Sequence, residues 1–263
     1  MTDDPAAPRS ADLRRPNAAR MYDYYLGGSS NFEVDRAAAD ALIELIPRTR
    51  EGARANRSFL ARAVRFCREQ GVRQFLDLGS GIPTVGNVHE IAQADDPEVR
   101  VVYVDHEPVA VAHGRRLLRD NPATMFVLAD LRDTGEVLTR AAELLDFSEP
   151  VAVLMVAVLH FVPGAEAGAA LAAYREAVQE GFLVLSHATV EDPSLDVDAL
   201  MKTYGNTETP FCPRSREELE GLLAGCELVE PGLVYAPEWR PDIPSEHPER
   251  SGFYAAVARL TLQ

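Results

Sequence analysis

The chain has 263 residues, of which 46% are apolar and 25% charged, and its formal net charge is −15. That length supports one well-buried domain, and the acidic balance argues against a general nucleic-acid binder. Val151 to Leu159 is the longest apolar run, too short to span a membrane, and MTDDPAAPRSADLRR at the start lacks the apolar core of an export signal, so a cytoplasmic protein is expected.

Residues 1–15, rich in Pro, Asp and Arg, predict a loosely held tail. Residues 16–71 predict a helical addition. Pro16 suits the first residue of a helix that Gly27-Gly28 closes. Asp35 is placed to cap a second helix with Leu42, Leu45 and Ile46 on one face and Pro47 at its end. Phe59, Leu60, Ala63, Val64 and Cys67 form an apolar stripe that Gly71 terminates. Residues 72–263 change pattern. Strands are predicted at 73–78, 100–105, 125–129, 151–158 and 182–187, with helices at 84–93, 107–119, 134–145 and 166–180. Several strands are apolar on both faces, which implies a parallel sheet covered by helices on each side. Ser215 and Glu218 make a capping box. Residues 226–236 and 252–261 then read as two strands in succession, an antiparallel pair at the sheet edge. Charge divides unevenly: residues 1–73 are net +3 and the remainder net −18. An arginine-rich head on an acidic body suits docking of one on the other, or cations near an anionic ligand.

The first strand runs into Asp77-Leu78-Gly79-Ser80-Gly81, a glycine turn at the carboxyl end of a strand, where open α/β sheets bind ligands. The second strand ends in Asp105, 24 residues after Gly81, which is the place of an acid that accepts hydrogen bonds from ribose hydroxyls. Asp130, after the third strand, is placed to accept from an adenine amino group, with Leu131 beside the ring and His106 and Glu107 flanking it. A dinucleotide turn would carry a third glycine where Thr84 stands. Asp77 would also repel a pyrophosphate but attract the ammonium and sulfonium groups of S-adenosylmethionine. The cofactor expected is therefore S-adenosylmethionine, leaving as S-adenosylhomocysteine.

PNAARMYDYYLGGSSNFEVDRAAAD, RANRSFLARAVRF, FLDLGSGIPTVGNVHEIA and VLMVAVLHFVPG resemble the S-adenosyl methyltransferase family, found mainly in actinobacteria and formerly labelled a domain of unknown function. The resemblance runs from Pro16 onward. It implies a Rossmann-like class I methyltransferase sheet with a helical N-terminal addition, and no agreed substrate. By motif it places Asp77, Gly79 and Gly81, with Ser80 between them, at the methionine part, Asp105 at the ribose and Asp130 at the adenine. The run Ile82-Pro83-Thr84 departs from the general class I pattern by lacking a later glycine.

Val156 and Ala157 end the fourth strand and are expected beside the transferring methyl group. His160 comes next as a candidate base on an acceptor amine or hydroxyl, and His187 is a weaker one. Arg20, Tyr22, Tyr25 and Asn31 cluster around Gly27-Gly28, and Tyr22 with Arg57 is expected to face the crevice from the lid. Trp239 and Tyr235 read as edge-strand packing, with an acceptor pocket as the other place for them. Cys67, Cys212 and Cys226 are odd in number and read as reduced thiols, and no histidine–carboxylate group has metal-ligand spacing. The expected function is direct methyl transfer to an acceptor, more readily a small molecule than DNA or RNA. A non-catalytic sensor of S-adenosylmethionine and an NAD-dependent oxidoreductase are the rival classes. No heptad or exposed apolar helix speaks to oligomeric state.

Overall fold

The computed structural model describes residues 12–84, 86–191, 195–205, 207 and 209–261; most of the tail expected at 1–15 lies outside them. Helices α1 (Ala18–Tyr25), α2 (Glu33–Leu45) and α3 (Thr49–Glu69) precede β1 (Gln74–Leu78). Alternation begins there: α4 (Val88–Ala92), β2 (Arg100–Asp105), α5 (Pro108–Leu117), β3 (Thr124–Leu128), α6 (Thr134–Ala141), β4 (Val151–Val156), α7 (Gly164–Ala177) and β5 (Gly181–Ala188). The chain continues through α8 (Val197–Tyr204), α9 (Arg216–Leu222), β6 (Glu227–Leu228), β7 (Val234–Tyr235) and β8 (Phe253–Leu260).

The strand order is β3-β2-β1-β4-β5-β8-β6, with β7 also on β8. β1 to β5 are parallel; β8 runs antiparallel to β5, and β6 and β7 antiparallel to β8. The order reverses between β1 and β4, so a ligand crevice opens beyond the carboxyl ends of those strands. The strands are mainly apolar because each face has its own core. Leu76, Leu78, Val153, Met155, Leu183 and Leu185 pack on one side. Phe75, Ala152, Leu154, Phe182 and Val184 pack on the other, against Phe59, Leu60, Ala63, Val64 and Cys67 of α3. A third core joins Met21, Tyr25, Leu42 and Ala53 to Leu200 and Phe211. Helix α3 thus serves the sheet, while α1, α2 and α8 form a cap over the crevice.

Several boundaries move for local reasons. Asn17, not Pro16, begins α1: its Oδ1 accepts from the amides of Ala19 (2.9 Å) and Arg20 (3.4 Å). Asp35 lies inside the first turn of α2 and reaches back to the Phe32 amide at 2.9 Å, a reciprocal cap rather than the N-cap itself. The strand expected over 226–236 is two short pieces separated by Pro231 and Gly232. Helix α8, not expected from the sequence, carries Val197, Leu200, Met201 and Tyr204 at helical spacing, with Leu200 its one buried residue. Its start is marked by Asp196, which accepts from the Ala199 amide at 3.0 Å. Ser215 and Glu218 form the expected capping box on α9 (3.2 and 2.7 Å). Among the described residues no helix is long and apolar enough to cross a membrane.

Candidate active site

At the end of β1 the chain turns through Gly79 (φ 70°) and Gly81 (φ 66°), a backbone region that suits glycine. The amides of Gly79 and Ser80 donate to the Val104 carbonyl at 2.8 and 3.1 Å. The Gly81 amide donates to Asp105 Oδ2 at 2.7 Å, and the Glu107 amide to Asp105 Oδ1 at 2.8 Å. One buried carboxylate thereby fixes two loops. A Cβ on Gly79 would stand 2.1 Å from Val158 Cγ2. Gly79→Ala is expected to cost about 2–4 kcal/mol from the left-handed backbone and the clash together, read as a lowered denaturant midpoint; an unchanged midpoint would show that Val158 yields freely.

Asp77 is buried in the floor of this turn. Burial pushes its carboxyl up to about 7; Asp105 adds to the rise and the Arg57 guanidinium opposes it. Arg57 is anchored by its Nη2, which donates to the Gly86 carbonyl at 2.7 Å. Ser80 Oγ is buried without a hydrogen-bond partner among the described residues. A Cβ on Gly81 would meet nothing closer than Ala19 Cβ at 4.0 Å, so the turn borders open space. That space is a cavity of about 1450 Å³, larger than the roughly 300–1,000 Å³ of a single small-molecule pocket. One half lies over β1, β2 and β3, and the other over β4 and β5 beneath α1, α3 and α8.

A hydrogen-bond chain joins the cap to the sheet at the boundary between the halves. Tyr22 Oη donates to the Ala53 carbonyl (3.1 Å) and accepts from Asn56 Nδ2 (2.9 Å). Ser186 Oγ donates to Asn56 Oδ1 (2.5 Å) and accepts from the Ala157 amide (3.0 Å). Ala157 has φ of 55°, a conformation that costs a non-glycine residue about 1–3 kcal/mol and persists only when its surroundings hold it. His160 is buried beside it. Its Nδ1 accepts from the Ala188 amide at 3.2 Å, so in the neutral ring the proton sits on Nε2. Burial, then the neighbouring His187 and Arg214, push His160 well below its ordinary value. His187 has both nitrogens engaged, Nδ1 donating to the Ala188 carbonyl (2.7 Å) and Nε2 accepting from Arg214 (2.9 Å).

The family model described as S-adenosyl methyltransferase matches residues 4–261. The chain belongs to that family. A crystal structure of a candidate methyltransferase from Thermobifida fusca YX is 38% identical, with 98% of this chain and 100% of that chain covered and a TM-score of 0.89. A DUF574 family protein from Streptomyces avermitilis MA-4680 is 36% identical, with 94% and 98% covered and a TM-score of 0.89. TnmH, at 21% identity and a TM-score of 0.53 over 85% of this chain and 58% of that chain, shares the fold. No match was found among curated proteins.

In this methyltransferase the cavity brings together the residues singled out from the sequence: Asp77, Gly79, Ser80, Gly81, Asp105, His106, Asp130, Leu131, Val156, Ala157 and His160, with Tyr22 and Arg57 from the helices above. Their states differ. His106 is half exposed, with Nδ1 3.7 Å from Asp105 Oδ1. Asp130 is gripped by Arg132 (2.6 Å), which also reaches Glu166 (2.8 Å). Glu107, expected beside the adenine, is committed to Arg20 (3.1 Å) and to the Val109 amide (3.2 Å). Trp239 is fully buried, edge-on to Phe59 and Phe66, whereas Tyr235 lines the cavity and stacks on Tyr254. Asn56 and Ser186 were not anticipated. Asn56 had a signal, a polar residue one turn before Phe59 and Leu60 on the apolar stripe of α3.

Proposed function

We propose that this methyltransferase binds S-adenosylmethionine over β1, β2 and β3 and passes its methyl group to a small-molecule acceptor held over β4 and β5. The observation that carries the reading is the turn at β1. It sets a buried carboxylate, a serine whose buried hydroxyl has no partner among the described residues, and a glycine edge along the lining of a single cavity, which fits a ligand bearing an ammonium, a carboxylate and a sulfonium. The cofactor supplies an electrophilic methyl on a good leaving group. The protein's own residues bind, orient and keep water out. Asp77, Gly79, Ser80 and Gly81 take the methionine part, Asp105 the ribose, and His106, Asp130 and Leu131 the adenine. Val156 and Ala157 border the methyl group, and the Tyr22–Asn56–Ser186 chain holds that border in place. Arg57 limits how far the Asp77 value rises. His160 acts in this reading as a neutral donor that orients the acceptor, because its Nδ1 lone pair is already used.

Titration by calorimetry with S-adenosylmethionine, S-adenosylhomocysteine and NAD tests the proposal. Binding of the first two and not of NAD is the expected result; NAD alone binding would refute it. A pH profile adds a second check. The folded value of Asp77, about 7, lies above the unfolded value near ~3.9. The ligand-free protein therefore loses stability as pH rises from about 4 to 7. A cationic ligand favours the ionised form, so affinity should climb by up to about tenfold per unit below that value and level off above it. Asp77→Asn should flatten the rise; a variant that keeps the wild-type slope would assign the titration to another group.

A further inference from the structure

We propose that the half of the cavity over β4 and β5 is a site for an uncharged, planar aromatic acceptor bearing a hydrogen-bond-accepting oxygen, packed against the rings of Phe161, Tyr204, Phe211 and Phe253 and bound through that oxygen to His160. This assignment rests on the methyl-transfer reading above and names the class of acceptor.

The four rings come from four separate segments: the turn after β4, the end of α8, the loop before α9 and the start of β8. They converge on His160 and on one another. Tyr204 and Phe211 stack at 4.4 Å with planes 14° apart. Phe161 lies 6.0 Å from Phe211 and 5.9 Å from Tyr204. The His160 ring is 4.5 Å from Phe161, 5.6 Å from Phe211 and 6.0 Å from Phe253. All five line the cavity. Such walls offer flat apolar faces and edges, which bind another ring by offset stacking or edge-on contact, and the volume in excess of one ordinary pocket leaves room for it.

The polar groups select within that class. His160 stays neutral and its Nδ1 is taken by the Ala188 amide, so what it offers a ligand is the Nε2 proton, which calls for a hydroxyl or carbonyl oxygen. His187 cannot compete, since Arg214 and the Ala188 carbonyl occupy it. Charges on this side are mixed: Glu249 and Arg250 approach to 4.0 Å, Arg15 donates to the Thr207 carbonyl at 2.6 Å, Arg48 is engaged within the protein, and Glu191 is held by neutral donors, the Thr189 hydroxyl and the Arg216 amide, at 3.4 Å each. A phosphate or carboxylate here would meet the Glu191 carboxylate and find Arg15 and Arg250 already bonded.

The test is equilibrium binding to the full chain saturated with S-adenosylhomocysteine, using 2-naphthol, naphthalene, decahydro-2-naphthol and 2-naphthoate as probes. Expected is 2-naphthol tightest, with the other three weaker by about tenfold or more. Phe211→Ala should weaken 2-naphthol and naphthalene together. His160→Phe keeps a ring but removes the donor, so it should bring 2-naphthol down to the level of naphthalene while the affinity for S-adenosylhomocysteine is unchanged; His160→Gln should restore the preference. Equal binding of the saturated or the anionic probe, or no aromatic binding up to millimolar concentration, would overturn the assignment. If S-adenosylhomocysteine itself fails to bind, the cofactor reading falls, and the same four probes on the ligand-free chain still decide the chamber.

Discussion

Asp105→Ala is expected to remove measurable affinity for S-adenosylmethionine while leaving a folded protein. The carboxylate is 5% exposed and already accepts from the amides of Gly81 and Glu107. These hold the glycine turn and the β2–α5 loop at a fixed separation on either side of the ribose position. Alanine removes that restraint and, in the proposed cofactor site, the anionic acceptor for ribose hydroxyls at one stroke. Hydrogen bonds to a charged group contribute about 1.5–3 kcal/mol each. Losing the equivalent of two gives about 3–6 kcal/mol, or roughly two to four orders of magnitude in Kd. Asp105→Asn keeps an oxygen for one amide and should fall between. Calorimetry on both variants, with thermal melts to confirm folding, decides the matter. Wild-type affinity in the alanine variant would reduce Asp105 to a cap for the turn.

The parts of this molecule that could be read from the chain are those where one residue type answers one local demand. The five parallel strands declare themselves because both faces are covered, so their middles are apolar and polar residues fall mainly toward their ends. Asp77, Asp105 and Asp130 are conspicuous as acids at the ends of apolar strands. Position along the chain says where such a carboxylate sits but not what it touches. Asp105 meets backbone amides, Asp130 meets Arg132, and Glu107 meets an arginine 87 residues away. The acceptor chamber was the least legible part. His160, Phe161, Phe211 and Phe253 lie in turns, loops and a strand start, where no period marks a face, and the short apolar stripe of α8 does not say which rings Tyr204 meets. The same limit applies to the tautomer of His160: a histidine after β4 suggests a base, and only the Ala188 amide at its Nδ1 shows which nitrogen keeps a lone pair. The charge pattern left open whether the arginine-rich head docks on the body or serves an anionic ligand, and the contacts that hold the head are only partly ionic. Arg62 donates to the carbonyls of Trp239 and Ala236, and Arg15 to that of Thr207. The acids of the body are mostly not the partners.

Arg20, Arg68 and Arg73 do meet acids of the body; of these Arg20 alone is fully buried, and Arg20→Met is expected to be the most destabilising of the single changes considered. Its guanidinium is fully buried between Asp35 at 2.8 Å and Glu107 at 3.1 Å, both carboxylates also buried. Its Nη2 donates further to the Arg15 carbonyl at 2.7 Å. One side chain thus ties α1 to α2 and both to the loop that follows Asp105. Removing one member of a buried ionic group leaves the others uncompensated, at a cost of about 3–5 kcal/mol. In a domain of this size that corresponds to a fall in Tm of about 6–20 °C. Many buried ion clusters can be replaced by apolar residues without loss, but this one cannot be, because its acids hold backbone as well. Asp35 accepts from the amides of Phe32 and Asn17, and Glu107 from that of Val109. Leucine at either acid would therefore orphan helix-cap amides, whereas Asp35→Asn keeps an acceptor and sheds the charge. Adding Asp35→Asn to Arg20→Met should recover part of the lost stability, and adding Asp35→Leu should deepen the loss. Denaturant unfolding of the three variants distinguishes these outcomes. If the leucine pair proves as stable as wild type, the triad is a replaceable ion cluster and the cap is held by its apolar core alone.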